Sequence, residues 1–180
     1  KYMTSIKQNC YRLLRLVNNI IDMNKIDYGY YDIELGNYNI VSVVEDITMS
    51  VLEYIKNKGI ELIFDTDTEE EIIACDPDKI ERIILNLLSN AIKYTRPDGK
   101  IIVNINSDKE NVYISVKDTG IGMPKQKLNK IFNRYEQIDN KLTKSFNGSG
   151  IGLSLVKSLV EMHKGKITVE SKENEGSKFT

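Results

Sequence analysis

This sequence of 180 residues has little net charge, no long apolar run and only two cysteines. Its net charge is only −1 at pH 7, so the overall charge does not favour nucleic acid as a partner. No apolar run approaches the roughly 20 residues that a membrane-spanning helix needs. The two cysteines, Cys10 and Cys75, are far apart, which suits a reducing cytoplasm and predicts neither a disulfide nor a metal site. What remains is the balance of an ordinary soluble globular domain, with 41% hydrophobic and 28% charged residues.

The two ends of the sequence indicate a piece of a longer protein. The chain does not begin with Met and carries no signal peptide. It stops at Thr180, within a run of residues typical of a β-strand. The length of 180 residues suggests one domain, or one domain with an appendage, and the missing targeting segments say nothing about where the parent protein is located.

A heptad pattern predicts a helix from residue 1 to about residue 27. Its apolar residues recur at spacings of three and four, and Leu14 and Ile21 widen the stripe. The a and d positions are Met3, Ile6, Cys10, Leu13, Val17 and Ile20. Such a stripe favours a helical bundle or a dimer, and the alternative is a helix packed on its own domain. Residues 27–31 predict a break after it.

Short strands and one helix are expected between this helix and residue 75. The predicted elements are a strand at Asp32–Leu35, an amphipathic helix at Ile40–Ile55, a strand at Ile60–Phe64 and a short buried strand at Ile72–Cys75. The acidic run over residues 65–71 is typical of a solvated turn, and a metal site there is the less favoured alternative.

The next helix carries an unusual polar stripe. Asp76 is a good N-cap, directly before a proline, and the apolar pattern continues to about residue 94. At 100° per residue, Asn86, Asn90 and Lys93 share one narrow face. Amide oxygens are neutral ligands for Mg²⁺, and a lysine is a point charge for phosphate. The alternative is a helix with a narrow solvent edge.

A predicted hairpin leads into the most informative stretch of the chain. Its strands are Lys100–Asn106 and Asn111–Lys117, and they deliver Asp118, Gly120 and Gly122. A carboxylate fixed at a strand end, beside glycines that let the backbone approach a ligand closely, forms a candidate binding site. The motif alone also occurs in ordinary turns.

A long polar segment separates this motif from the last helix. We predict a short helix at Lys125–Phe132 and a mobile loop over residues 133–147, which in a compact domain is often a lid. The stretch Gly148-Ser149-Gly150-Ile151-Gly152 opens a helix from Leu153 to His163. Glycines before a helix expose backbone N–H groups at the positive end of its dipole, a natural phosphate site. Closing strands are expected at Ile167–Glu170 and Lys178–Thr180.

Four stretches resemble, in family order, the sequence boxes of sensor histidine kinases. Residues 76–95 look like the N box, and Asp118–Met123 resembles the G1 box. Ile131–Tyr135 resembles the F box, and Gly148–Leu153 resembles the G2 box. Residues 1–27 are similar to the second helix of the family's dimerisation and phosphotransfer domain. The spacing is that of neither a Walker P-loop nor a dinucleotide-binding fold.

The resemblance implies the fold shared by Hsp90, gyrase, MutL and the histidine kinases. This is an α/β (α+β) two-layer sandwich, with a mixed, mostly antiparallel sheet, helices on one face and an added N-terminal bundle helix. Residues 1–30 would be the bundle helix, and residues 31–180 the catalytic ATP-binding domain with a truncated last strand.

The resemblance also assigns residues to Mg-ATP. Asp118 would accept a hydrogen bond from the adenine amine, Asn90 would hold Mg²⁺, and Asn86 would be a second candidate ligand. Lys93 and the glycines of the G2 box would meet the phosphates, and Tyr94 would line the pocket. The other implied nucleotide contacts are Gly120, Gly122, Gly148, Ser149, Gly150, Ile151, Gly152 and Leu153, and the weaker phosphate candidates are Arg134, Lys141 and Lys144.

Position 86 bears on the reaction. The ATPase relatives carry Glu there to activate water, whereas Asn86 cannot accept a proton at neutral pH. Phosphoryl transfer to a histidine is therefore favoured over hydrolysis, with Asn86, Asn90 and Lys93 as the catalytic candidates. The sole histidine, His163, is expected to be a helix-terminal residue placed favourably against the dipole, and the acceptor histidine is expected upstream of Lys1.

The resemblance implies partners as well. They are a second copy through the N-terminal helix and the receiver domain of a response regulator, without nucleic acid. The fragment would be the cytoplasmic portion of a membrane-bound sensor, which meets the membrane only through absent parts of the parent. Two alternatives stay open: an ATP-hydrolysing machine of the mismatch-repair or chaperone type, and a scaffold that has lost nucleotide binding.

Overall fold

The computed structural model describes residues 2–136 and 150–180. Helices and strands alternate along the chain as an α+β fold. In order, the elements are α1 (Tyr2–Asp27), β1 (Gly36–Asn39), α2 (Ile40–Ser50), α3 (Leu52–Lys56), β2 (Glu61–Thr66), β3 (Ile72–Cys75), α4 (Pro77–Tyr94), β4 (Lys100–Ser107), β5 (Val112–Asp118), a 3-10 turn (Lys125–Lys127), α5 (Gly152–Met162), β6 (Val169–Lys172) and β7 (Gly176–Phe179).

A five-stranded sheet forms one layer, with the strand order β2-β4-β5-β7-β6. The β2–β4 pair is parallel and the other pairs are antiparallel, which confirms the mixed, mostly antiparallel sheet. The predicted hairpin is β4–β5, and the two closing strands are β6 and β7. β7 lies between β5 and β6, so the last strand of the chain pairs directly with the strand that ends at Asp118.

Alternation along β4 and β5 separates a buried face of the sheet from an exposed one. Ile101, Val103 and Ile105 are fully buried on β4, opposite Asp118, Val116 and Ile114 of β5. The other face is polar, and there Asn104 and Asn106 of β4 donate hydrogen bonds to Asp65 and Asp67. The helices α2, α4 and α5 therefore cover one face only, as the two-layer sandwich requires.

The helix α1 confirms the predicted helix and divides into two environments. Near its C-terminal end, Asn19, Asp22 and Met23 are buried against the rest of the chain. Earlier in the helix, the side chains of Leu13 and Val17 are 64% and 44% exposed. The heptad stripe is thus left uncovered where it lies away from the domain.

The strand predicted at residues 32–35 is wrong. The strand in this region is β1, which begins at Gly36 and pairs with β3 in a separate two-stranded sheet. The N–H group of Glu34 instead donates to the Asp76 carboxylate at 3.0 Å, so it bonds to a side chain and not to a strand ladder. β3 itself is a strand as predicted, but Ile72 is 52% exposed, so it is not a buried one.

Two helix predictions also need correction. The helix expected over residues 40–55 is broken at Val51, whose N–H group turns back to Thr48 and separates α2 from α3. Over residues 125–132 the chain makes successive hydrogen bonds three residues apart, as between Lys130 and Lys127, so only a 3-10 turn forms. Of the predicted lid, residues 137–147 lie outside the described residues.

Candidate functional site

Helix α4 begins after Asp76 and ends at Tyr94, as the sequence predicts. The Asp76 carboxylate accepts hydrogen bonds from the N–H groups of Asp78 and Lys79, at 3.1 and 3.3 Å, and so caps the helix. A second oxygen of the same carboxylate accepts from Glu34. This cap fixes where α4 begins. The polar stripe then runs along the helix toward its C-terminal end at Tyr94.

Within the polar stripe of α4, Asn86 faces protein, so the solvent-edge alternative is wrong at this residue. That side chain is buried, and its Nδ2 donates to the carbonyl oxygen of Arg82 at 2.8 Å. Asn90 and Lys93 are half-buried one and two turns further along. The amide oxygen of Asn86 points at α5, where it lies 3.2 Å from the position that a β-carbon on Gly152 would occupy.

The start of α5 therefore lies directly beside α4. The capping position is held by Ile151, whose buried apolar side chain cannot accept a hydrogen bond from the first turn. Gly150 has a positive φ of 69°, and a β-carbon there would lie 2.7 Å from the Cα of Tyr135. Leu153 is half-buried, whereas Gly148 and Ser149 lie outside the described residues. The structure thus brings Asn86 together with the described half of the glycine stretch.

Asp118 is the buried carboxylate of the site, with a relative exposure of 6%. It accepts a hydrogen bond from the N–H group of Gly120 at 2.8 Å and another from the backbone of Ser177. Burial raises the pKa of Asp118 to about 6, because removal of water disfavours the charged form more than these two bonds favour it. At neutral pH the group is still mainly a carboxylate, so it presents hydrogen-bond acceptors.

The two glycines after Asp118 allow close contacts between backbone segments of the fold. A β-carbon at Gly120 would lie 2.4 Å from the carbonyl oxygen of Tyr94, and one at Gly122 would lie 1.9 Å from that of Lys172. The sequence argument assigned these glycines to the close approach of a ligand. The close approach that the structure shows is instead to the end of α4 and to the β6–β7 turn.

Tyr94 joins the Asp118 loop to α4. The N–H group of Ile121 donates to the carbonyl oxygen of Tyr94 at 3.2 Å, which ties the loop to the last turn of the helix. The ammonium group of Lys93 lies 4.7 Å from the centroid of the Tyr94 ring. Asp118 and the end of the polar stripe are thereby held on neighbouring segments.

Arg134 is exposed and is paired with an acid. Its guanidinium pairs with the carboxylate of Asp27, at the last residue of α1, and one of the two hydrogen bonds measures 2.6 Å. The next residue, Tyr135, donates its N–H group to the carbonyl oxygen of Gly150 at 3.0 Å. The phosphate contact predicted for Arg134 stays a prediction. Lys141 and Lys144, the other phosphate candidates, lie outside the described residues.

His163 ends α5 as predicted, but its hydrogen bonds differ from those of a charged helix terminus. Its Nδ1 lies 2.8 Å from the carbonyl oxygen of Leu159, and its Nε2 accepts from the N–H group of Asp76 at 3.2 Å. An imidazole that accepts at Nε2 is neutral and carries its proton on Nδ1. His163 thus links the end of α5 to the start of α4.

Sequence reasoning missed Ser177 and Gly176, which come from the last strand. A β-carbon at Gly176 would lie 1.9 Å from the carbonyl oxygen of Asp118, so β7 approaches the carboxylate closely because that residue is glycine. No local sequence pattern predicts this contact, because it arises from the pairing of β7 with β5. A glycine and a serine before the last apolar residue were the only available signal.

Comparison with known proteins decides the family. Residues 75–180 match the family described as Histidine kinase-, DNA gyrase B-, and HSP90-like ATPase, and the match spans more than half of the chain. The chain belongs to this family. The resemblance that rested on the four boxes is thereby confirmed at the level of the family.

Curated relatives in this family carry histidine kinase names. Histidine kinase P4 of Formosa agariphila is 35% identical over 99% of this chain, which spans 13% of that relative. Sensor histidine kinase WalK of Bacillus subtilis is 32% identical over 94% of this chain, which spans 28% of that protein. The mismatch-repair and chaperone alternative is therefore not favoured.

Solved histidine kinases share the fold. The chain superposes on full-length ShkA in complex with AMPPNP with a TM-score of 0.84, at 24% identity, covering 99% of this chain and 37% of that one. ThkA in complex with the response regulator protein TrrA gives a TM-score of 0.78 at 26% identity, covering 99% of this chain and 49% of that one. The mixed sheet with helices on one face is thus that of histidine kinase catalytic domains.

Two expected absences can be compared with the described ranges. Within residues 2–136 and 150–180, no three side chains of His, Cys, Asp or Glu gather into a metal-binding group. Over the same part of the chain, none of the helices combines the length and the apolar character needed to cross a bilayer. Asp65 and Thr66 end β2, and the rest of the acidic run, residues 67–71, joins β2 to β3.

Proposed function

We propose that this chain is the ATP-binding catalytic part of a two-component sensor histidine kinase. It would transfer the γ-phosphoryl group of Mg-ATP to a histidine, for relay to an aspartate of a response regulator. The observation that carries the proposal is the buried carboxylate of Asp118, held at a strand end next to the helix that bears Asn86 and Asn90. Residues 1–30 would be the bundle helix of the parent kinase, and residues 31–180 the catalytic domain.

Asp118 would read the adenine. Its two bonds from Gly120 and Ser177 fix the carboxylate while leaving acceptor capacity for the exocyclic amine of the base. Tyr94, in the last turn of α4, would line the same pocket. A nucleotide bound there would have its phosphates toward the other part of α4, where Asn86 lies beside Gly152.

The residues present also fit a magnesium ion. Asn86 and Asn90 supply neutral amide oxygens one turn apart, of the kind that Mg²⁺ accepts together with phosphate oxygens and water. Bound Mg²⁺ would neutralise charge on the transferred phosphoryl group. Lys93 and the N–H groups at the start of α5, from Gly150 through Leu153, would bind and orient the phosphates.

Transfer is proposed in preference to hydrolysis because of position 86. The amide of Asn86 donates to Arg82 and has no basicity with which to activate water. In the transfer step the bond between the γ-phosphorus and the bridging oxygen breaks, a bond to an imidazole nitrogen forms, and ADP leaves. His163 is not the acceptor, because its Nε2 is already bonded to the backbone of Asp76.

The exposed part of α1 supports the proposed self-association. Leu13, Leu14 and Val17 are 64%, 57% and 44% exposed on a helix whose stripe needs a partner in water. We propose that a second copy covers this stripe in the parent kinase, and that a response regulator binds the assembled protein. ThkA, solved with TrrA, is a neighbour that binds such a partner. A cytoplasmic location below a membrane-bound sensor is part of the same proposal.

Calorimetric titration of the chain with Mg-AMPPNP tests the nucleotide site, and an ATP turnover assay tests the reaction class. We expect micromolar to millimolar binding without appreciable release of inorganic phosphate. As a matched control, Asn86→Glu restores the general base of the hydrolytic relatives at an unchanged position in the helix. Rapid hydrolysis by the wild-type chain would favour the ATP-driven machine, and the absence of any binding would favour the scaffold.

A further inference from the structure

Two ion pairs attach α1 to the nucleotide end of the catalytic domain. Asp22 pairs with Arg82 of α4 at 2.5 Å, and Asp27 pairs with Arg134. Both acids lie in the last two turns of α1, and both arginines adjoin the candidate site. The carbonyl group of Arg82 accepts from Asn86, and the residue after Arg134 bonds to Gly150.

The two ion pairs differ in how far they are exposed to solvent. The side chain of Asp22 is only 11% exposed, and its arginine also donates to the hydroxyl group of Tyr31 at 2.8 Å. The side chains of Asp27 and Arg134 are 39% and 43% exposed. An exposed pair of this kind exchanges readily with other partners, because its net stabilisation is small. The outer pair is therefore the one that a ligand can replace.

The backbone beside Arg134 is fixed close to the glycine stretch. Tyr135 donates to Gly150 at 3.0 Å, and both residues have positive φ angles, of 62° and 69°. A β-carbon on Gly150 would lie 2.7 Å from the Cα of Tyr135, so the two segments are in direct contact. The guanidinium of Arg134 is on a long side chain that starts from this fixed point.

We propose that Asp27 and the phosphates of the nucleotide compete for the guanidinium of Arg134, so that nucleotide binding and docking of the end of α1 oppose each other. This inference rests on the proposed function, since it requires ATP at the Asp118 site. A guanidinium presents the same planar fork to a carboxylate or to a phosphate, and it cannot serve both fully at once. By reciprocity, release of α1 would strengthen nucleotide binding by the same factor with which the nucleotide weakens docking.

The competition can be measured with Asp27→Asn. This change removes the charge that holds Arg134 and keeps the size of the side chain. We expect the affinity for Mg-AMPPNP, titrated calorimetrically at low salt, to rise about twofold to fivefold, the range of an exposed ion pair. The affinity for adenosine, which has no phosphates, should not change. Asp32→Asn, which neutralises another exposed acid shortly after α1, is the matched control and should leave both affinities at wild-type values.

A second background separates competition from simple charge repulsion. In Arg134→Gln there is no guanidinium to release, so adding Asp27→Asn should give no further gain in AMPPNP affinity. A gain that persists in Arg134→Gln, or an equal gain in Asp32→Asn, would overturn the inference. So would wild-type binding that Asp27→Asn leaves unchanged. Absence of AMPPNP binding by the wild-type chain would instead overturn the proposed function itself, and this inference with it.

Discussion

The amide oxygen of Asn86 lies 3.2 Å from the point that a β-carbon on Gly152 would occupy, so α4 and α5 meet at a glycine. Gly152→Ala would press a methyl group against this amide. We expect nucleotide affinity to fall about tenfold, because the amide and the first N–H groups of α5 have to move apart, while the midpoint of urea unfolding changes little, since Ala is the better helix former.

Gly165→Ala is the matched control for that change. A β-carbon at Gly165 also meets an atom at 3.2 Å, the Cγ1 of Val160, but it lies beyond the other end of α5. It should alter stability to a similar extent without altering nucleotide affinity. Equal affinity losses in both variants would show that the effect is general loosening of α5 and not a contact within the site.

Asp118 is expected to lower the stability of the nucleotide-free protein. Its pKa is raised from the ordinary value of 3.8 to about 6, so the folded state binds its proton more tightly than the unfolded state. The stabilisation from that proton is fully present below pH 3.8 and is lost as the pH rises through 6. Asp118→Asn should therefore raise the free energy of unfolding at pH 7.5 by up to about 3 kcal/mol.

Urea unfolding of the wild type and Asp118→Asn from pH 5 to pH 8 checks this. The difference between the two proteins should shrink steadily toward pH 5, where the wild-type carboxyl is mostly protonated. A constant difference across that range would mean that shape or hydrogen bonding, and not charge, separates them. The same substitution is expected to weaken nucleotide binding, so stability and function would move in opposite directions.

His163 should matter for stability through a single backbone group. His163→Ala leaves the N–H group of Asp76 without its acceptor at the start of α4. We expect a loss of about 1–2 kcal/mol in the free energy of unfolding, measured with urea at pH 7.5, as for other buried donors left unsatisfied. His163→Gln offers an amide oxygen in a similar place and should recover part of the loss. Identical stability of wild type and His163→Ala would contradict the assigned hydrogen bond.

The two asparagines of α4 should differ in their dependence on Mg²⁺. We expect Asn90→Ala to remove more of the Mg-dependent affinity for AMPPNP than Asn86→Ala does, because Mg²⁺ tolerates the loss of a ligand poorly. Titrations with Mg²⁺ and with EDTA measure that dependence, and unfolding curves correct for the packing of buried Asn86. Equal Mg²⁺ dependence in wild type and Asn90→Ala would refute the metal assignment.

Elements with their own periodicity or caps could be predicted from the sequence. The heptad stripe gave α1, the N-cap at Asp76 placed α4, and alternation gave the β4–β5 hairpin. The polar stripe with Asn86 and the glycines before α5 were recognised as parts of one site, because residue type and spacing carry that information locally. The sequence argument did not show that Asn86 and Gly152 touch, since contact between two helices depends on the whole core.

The failures share a physical cause. The β1–β3 pairing, the bond from Ser177 to Asp118 and the Asp27–Arg134 ion pair all join segments far apart in the chain. Such contacts leave no periodic trace in either partner. The close approach of Gly122 to Lys172 could not be predicted for the same reason, because Lys172 lies at the end of β6, while the nucleotide contact of Gly122 stays a prediction. A glycine in the sequence can indicate that another group approaches the backbone closely, but it does not identify that group.

The central claim is that Asp118 reads an adenine base, and nucleotide preference in Asp118→Asn tests it most directly. The carboxylate accepts from the 6-amino group of adenine but would oppose the 6-carbonyl of guanine, a mismatch of about 1–3 kcal/mol or more. The wild type should therefore prefer Mg-ATP over Mg-GTP by about tenfold to a few hundredfold. In Asp118→Asn, whose amide can also donate, ATP affinity should fall and the preference should shrink. If neither the affinity nor the preference changed, Asp118 would be a turn residue and the adenine site would lie elsewhere.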